Sequence, residues 1–283
     1  MPRTESRAAH REPACAPVAP SSSFAVFRAL NDPALGAHAG HKGRIDQRAL
    51  AAVRGARLED KLLRALVARE ALPAKEVWES FETFARARRV LRGRCVVDLC
   101  CGHGLAGLLF AVFERELEEL VLVDERVPAN HPAVMAALDE VAPWARAKTR
   151  WVVQGLKSAL PALPRDGAIL AVHACGVRTD RAIEAALAAR VPLVAVPCCY
   201  EGTAQRAPSG LVDALGVVLA VDIDRSYRLE QAGYAVRWTS LPAAITPMNR
   251  VIVARPPAAA RGGVTLGSNA GSPRVPGPAG ELR

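Results

Sequence analysis

The stretch VVDLCCGHGLAG at residues 96–107 constrains the fold of this chain more tightly than any other. Val96 and Val97 end an apolar run and Asp98 sits at its tip. Gly102 and Gly104 follow, and Leu105, Leu108, Leu109 and Val112 then take up helical spacing. The pattern predicts a strand, a glycine turn and a helix. Glycine suits such a turn because it reaches backbone angles that a Cβ forbids and lets a ligand approach the main chain. The helix start then offers unpaired N–H groups to that ligand. A second apolar run, Leu120 to Val123, ends in Asp124, about 20 residues past the turn, where a carboxylate meets the ribose hydroxyls of a bound nucleoside.

Two cofactors fit these letters. Residues 102–107 satisfy the G-x-G-x-x-G spacing of a nicotinamide or flavin dinucleotide site, so an NAD(P)-binding oxidoreductase is one reading. In that fingerprint, however, the first glycine follows the strand directly and the turn receives a pyrophosphate. Here an acid closes the strand and three residues intervene before the first glycine. A carboxylate at that point favours a cationic cofactor without phosphate, and S-adenosylmethionine, with its sulfonium and ammonium, is the expectation.

From residue 94 onward, strands and helices alternate. Strands are predicted at 94–99, 119–124, 149–154, 168–172 and 192–197, with a helix over Thr179 to Arg190, which implies a parallel sheet covered on both faces. A helix near 221–232 leads through Gly233 into Tyr234 to Ser240, and a last apolar run covers Val251 to Ala254. Two closing strands without a long helix between them predict an antiparallel pair at the sheet edge. A dehydrogenase needs a further substrate domain, and residues 256–283, rich in Gly, Pro and Ala, do not read as one. Residues 1–23 also lack periodicity and are expected to be disordered. Residues 24–92 read as helical, with Pro73 opening a helix whose Trp78, Phe81 and Phe84 mark one buried face.

Charge is unevenly spread. Residues 1–94 hold 18 of the 37 Lys and Arg but only 10 of the 28 Asp and Glu, a surplus of +8 out of the chain's net +9. Between 44 and 69, Arg44, Arg48, Arg54, Arg57, Lys61, Arg64 and Arg69 interleave with apolar residues, as on amphipathic helices with a cationic face. Such a face follows an RNA phosphate backbone, or is only solvated. No apolar run reaches the roughly 18 residues of a spanning helix. The first 23 residues show no secretory signal, and seven cysteines without framework spacing suggest reduced thiols, so a cytoplasmic protein is expected.

His173-Ala174-Cys175-Gly176 follows the fourth strand, and Pro197-Cys198-Cys199-Tyr200 ends the fifth. In a doubly wound sheet these strands neighbour the first, so Cys100, Cys101, His103, His173, Cys175, Cys198 and Cys199 are expected on one side of it. The spacing lacks C-x-x-C pairs, so the thiols are expected to pack as small hydrophobes, with no metal site. His173 is the candidate general base, against the alternative that it only ties down a loop. Cys198 and Tyr200 complete the candidate catalytic set.

Together with Ile245-Thr246-Pro247-Met248-Asn249-Arg250, these motifs resemble the methyltransferase-domain family that includes the ribosomal-RNA-adenine-dimethylase-domain-containing proteins. More distantly they resemble the tRNA 2′-O-methyltransferases of the acceptor stem. The resemblance covers residues 72–255. It implies a class I fold: a Rossmann-like, mostly parallel α/β sheet with an antiparallel edge, preceded by the helical N-terminal region. It further implies Asp98, Gly102 and Gly104 around the methionine moiety, with Cys100 and His103 in the same turn, Asp124 at the ribose, Gln154 at the adenine edge and His173 facing the methyl group. Cys100 stands where many such enzymes carry glycine, and Tyr200 where the tRNA enzymes carry histidine. The implied activity is S-adenosylmethionine-dependent methyl transfer, with RNA, a protein side chain or a small molecule as acceptor. A non-catalytic cofactor- or RNA-binding accessory protein is the alternative, because fold does not fix function.

Overall fold

A computed structural model describes residues 22–160, 163–200, 202–203 and 206–257. The N-terminal region opens with α1 (Pro33–Gly36), flanked by two 3₁₀ turns, and continues with α2 (Leu58–Ala68) and α3 (Ala74–Ala87). The sheet region follows as β1 (Cys95–Leu99), α4 (Leu105–Phe113), β2 (Glu119–Asp124), α5 (His131–Val141), α6 (Trp144–Ala147), β3 (Thr149–Val153) and α7 (Leu156–Ala159). It closes with β4 (Ala168–Val172), α8 (Val177–Ala189), β5 (Leu193–Val196), α9 (Ser209–Gln231), β6 (Ala235–Ser240) and β7 (Arg250–Arg255).

These strands form one sheet in the order β3-β2-β1-β4-β5-β7-β6. β1 to β5 run parallel, and β7 pairs antiparallel with both β5 and β6. This is the expected mostly parallel sheet with an antiparallel edge. Successive strand residues point to opposite faces, and the two apolar cores divide accordingly. Val96, Leu120, Leu122, Leu170 and Val194 pack beneath the helices that run from α2 to α6. Val97, Val121, Val123, Ile169 and Leu193 pack against α8 and the C-terminal part of α9. The strands are apolar on both sides because both sides are covered.

In α3, Trp78, Phe81 and Phe84 are buried, and Phe27 meets the first two edge-to-face. The helix near 221–232 instead begins at Ser209, because Pro208 supplies its start and Gly216, at φ +76°, breaks the regular pattern inside it. Residues 22 and 23 are held by the fold, Ser22 donating to the Ser240 carbonyl and Arg86 to Ser22. The rest of the terminal stretches expected to be disordered, 1–21 and 258–283, lies outside the described residues. Among the described residues no helix is long and apolar enough to cross a membrane.

A buried ion cluster fixes the loops beyond β4 and β5. Arg225 is fully buried and pairs with Asp180 at 3.0 Å and with Asp222 at 3.1 Å. Its guanidinium also donates to the Gly176 carbonyl. Arg250 and the Tyr200 hydroxyl both reach the Asp222 carboxylate. Removing one member strands buried charge, so Asp222→Ala should lower stability in urea unfolding by about 3–5 kcal/mol.

Candidate active site

The parallel strands all release their chain at one end of the sheet, and a cleft of about 430 Å³ opens there. Cys100, Asp124, Gln154, Leu156, His173 and Arg178 line it. Its floor is the turn after β1. Gly104 takes φ +81° and caps α4, and Cys100 at φ +58° adopts the left-handed backbone where glycine is usual. One turn into α4, Gly107 donates its N–H to Asp98 Oδ2 at 3.0 Å, and a Cβ there would meet that oxygen at 2.7 Å. Asp98 is 1% exposed and lies beneath the turn, outside the cleft lining. Its Oδ1 has no partner, and burial pushes its pKa up to about 8.

Asp124, at the tip of β2, accepts the Gly102 N–H at 3.0 Å through Oδ2 and the Arg126 N–H through Oδ1. A carboxylate accepts about four hydrogen bonds, so it keeps capacity for ribose hydroxyls. Gln154 follows β3, its N–H held by the Asp124 carbonyl, with its side chain exposed at the cleft. An acceptor-rich ribose position, an exposed amide for a base edge and an unpartnered carboxylate oxygen under the turn suit a nucleoside cofactor bearing positive charge.

His173 ends β4 with φ +57°, its N–H bonded to the Val196 carbonyl. Its Nε2 lies 2.8 Å from Oε2 of Glu79, a residue of α3 that is 2% exposed. Both ring nitrogens and the Glu79 Oε1 are buried without a hydrogen-bond partner, so the ring and the carboxylate meet as a close ionic contact. His103 sits on the same side, its Nδ1 accepting the Leu105 N–H and its Nε2 3.4 Å from Glu76. Burial pulls the His103 pKa down to about 4, so the ring is neutral at physiological pH. Burial, then the nearby Glu79 charge, pushes the Glu76 carboxyl above its ordinary range.

The remaining expected residues lie beside the cleft. Cys198 Sγ is 2.8 Å from Cys175 Sγ, and a hydrogen bond from Cys198 holds the Cys175 thiol down at about 5. Tyr200 donates to Asp222 at 2.6 Å, and burial raises its hydroxyl well above the usual range. Cys95 and Cys101 are buried in the two cores, as small hydrophobes are. Cys100 is half-buried and packs against the core, whereas Cys175 and Cys198 are half-buried outside both cores and Cys199 is exposed, which corrects the expectation for these three, because their loops stand clear of the sheet. Glu76 and Glu79 escaped the sequence reading. Their signal is an acid beside each residue of an apolar stripe, the mark of an ordinary solvated helix border.

Residues 75–206 match the family described as a methyltransferase domain. Curated relatives include the glutathione S-transferase C-terminal domain-containing proteins of Homo sapiens and Bos taurus. Each is 24% identical over 206 residues, covering 58% of this chain. The chain spans 30% of the length of these relatives. Similar solved structures include the S-adenosylhomocysteine-bound methyltransferase PaMTH1 of Podospora anserina, at 12% identity and TM-score 0.47, covering 73% of this chain and 91% of that one. A Corynebacterium glutamicum protein is similar at 14% identity and TM-score 0.48, covering 71% and 91%.

A carboxyl whose pKa rises from 3.8 to about 8 binds its proton more tightly in the folded chain than in the unfolded one. The stability this gives is fully present below about pH 4 and is lost as the pH climbs to about 8, at no more than about 1.4 kcal/mol per pH unit. Urea unfolding of the cofactor-free protein should show that decline, and Asp98→Asn should remove Asp98's share of it. The family match over 75–206, joined to a mostly parallel sheet that sets Asp124 and Gln154 at one cleft, supports a methyltransferase domain, with S-adenosylmethionine as the cofactor such a domain takes.

Proposed function

We propose that this chain methylates RNA, with the pair formed by Glu79 and His173 removing a proton from the acceptor. The observation that carries the reading is the 2.8 Å contact between a buried carboxylate and an imidazole at the rim of the cofactor cleft. Glu79 lies against Nε2 of the ring, so its carboxylate stabilises the imidazolium that forms when His173 takes the proton. A base of this kind serves an acceptor hydroxyl or a protonated amine. The cofactor supplies an electrophilic methyl group on sulfur. The protein aligns the acceptor with it, excludes water and holds the proton at His173.

RNA as the acceptor is supported by charge. Between 44 and 69, Arg44 donates to the Ala71 carbonyl, Arg48 pairs with Asp46 and Arg69 with Glu140, while Arg54 and Lys61 are exposed without an ion pair. From Arg57 the basic surface continues into a groove of about 640 Å³ that Arg28, Arg89 and Arg237 also line, above Phe81 and Phe84. Exposed guanidinium groups lining a groove suit the phosphates of a nucleic-acid backbone.

Labelled S-adenosylmethionine should transfer its methyl group to RNA. Glu79→Gln and His173→Asn should each slow transfer by about 10²–10⁴-fold while calorimetry finds cofactor affinity unchanged. Loss of cofactor binding in folded variants would make these residues structural instead. For the basic surface, replacing Arg28, Arg89 and Arg237 together by Gln should reduce the slope of log affinity against log salt by about 2 to 3. An unchanged slope would return the groove to plain solvation.

A further inference from the structure

We propose that Cys175, Cys198 and Cys199 form a three-thiolate site for a soft divalent metal ion, with zinc as the natural occupant. Their sulfur atoms all lie within 4.8 Å of one another. Cys175 Sγ and Cys198 Sγ are 2.8 Å apart, and Cys198 Sγ and Cys199 Sγ 3.5 Å. With Zn–S bonds of about 2.3 Å, a tetrahedral ion needs sulfur–sulfur edges of about 3.8 Å. The cluster therefore requires its shortest edge to open by about 1 Å.

Sequence proximity does not account for the convergence. Cys175 follows β4 and the other two follow β5, and the two strands pair in register up to Val172 and Val196. Cys198 and Cys199 are successive, and in an extended strand their side chains would point to opposite faces. They share a face because the chain leaves strand geometry after Val196 and enters its loop at Pro197. The three thiols are also the wrong kind for core packing. Cys199 is exposed and the other two are half-buried, whereas Cys95 and Cys101 show what a filling thiol looks like here.

The surrounding backbone is fixed in advance. The Gly176 N–H donates to the Cys199 carbonyl at 2.9 Å, joining the two loops. The Gly176 carbonyl accepts from the buried Arg225 guanidinium, and Tyr200, next to Cys199, is tied to Asp222. Such outer contacts hold ligands in place before an ion arrives. Three thiolates leave a zinc site with one surplus negative charge, and the Arg178 guanidinium lies close enough to Cys175 to offset it. Three protein ligands with the exposed Cys199 on the outer side leave a fourth position open to solvent, the arrangement of an accessible rather than a sealed zinc centre. The ion would join the β4 and β5 loops directly beside His173.

The test uses the full chain purified under reducing conditions. Elemental analysis should find about one equivalent of zinc, and cobalt(II) added to the stripped protein should give the sulfur-to-cobalt charge-transfer band of thiolate ligation. Cys175→Ser and Cys198→Ser should each lose the zinc and the band, and Cys199→Ser should weaken both. Cys95→Ala, outside the cluster, should keep them, with circular dichroism confirming that each variant is folded. Folded, reduced wild-type protein that takes up neither zinc nor cobalt would overturn the proposal. So would a cobalt band indifferent to the serine variants, or a Cys175–Cys198 disulfide in place of bound metal.

Discussion

The hydrogen bond from the Gly107 amide to the Asp98 carboxylate stitches the end of β1 to the first turn of α4, and the cleft is built on that stitch. It draws the helix close enough that only glycine fits at 107. It sets the path of residues 99–104 so that the Gly102 N–H meets Asp124 on the next strand. The cost is a carboxyl taken fully out of water, which burial drives towards its neutral form. The turn is thus held by a group that a nearby positive charge would re-ionise, a sensible arrangement under a cofactor carrying a sulfonium and an ammonium.

A second constraint acts at the neighbouring strands. Arg225, Asp180, Asp222, Arg250 and Tyr200 draw α8, α9, β7 and the loop after β5 to one buried point. Buried ion pairs add little net stability over apolar packing, but they are strongly directional. Here they set where Gly176 and Tyr200 sit, and with them the three thiols in between. Cleft and thiol cluster are therefore adjacent for a reason: both rest on loops leaving parallel strands at the same end of the sheet.

Most of the sheet was legible in the sequence. Both faces of the strands are apolar, and a run such as Leu120 to Val123 ending in an acid has few other readings. The start of α9 was not legible, because Gly216 interrupts its pattern and Pro208 stands well before the apolar stretch. Asp124 and Gln154 are found at the cleft because strand ends carry positional meaning in a parallel sheet. Tyr200 is also at a strand end, yet its hydroxyl is committed to Asp222, 22 residues away, a pairing that no local pattern announces. Glu79 was invisible for a related reason. A lone acid bordering Trp78 and Phe81 looks solvated until the fold brings β4 against it.

That Glu79 belongs to α3 rather than to the sheet divides the chemistry along the chain. The residues that line the cleft all lie after Gly93, whereas the carboxylate facing His173 is delivered from before it. On the roles proposed above, cofactor capture and proton removal draw on different segments of the chain. The two segments meet at the site, since α3 packs on α4 and its Glu76 lies beside His103 in the turn under the cleft. On the roles proposed for Glu79 and His173, anything that presses on the outer face of α3 has a lever on the reaction.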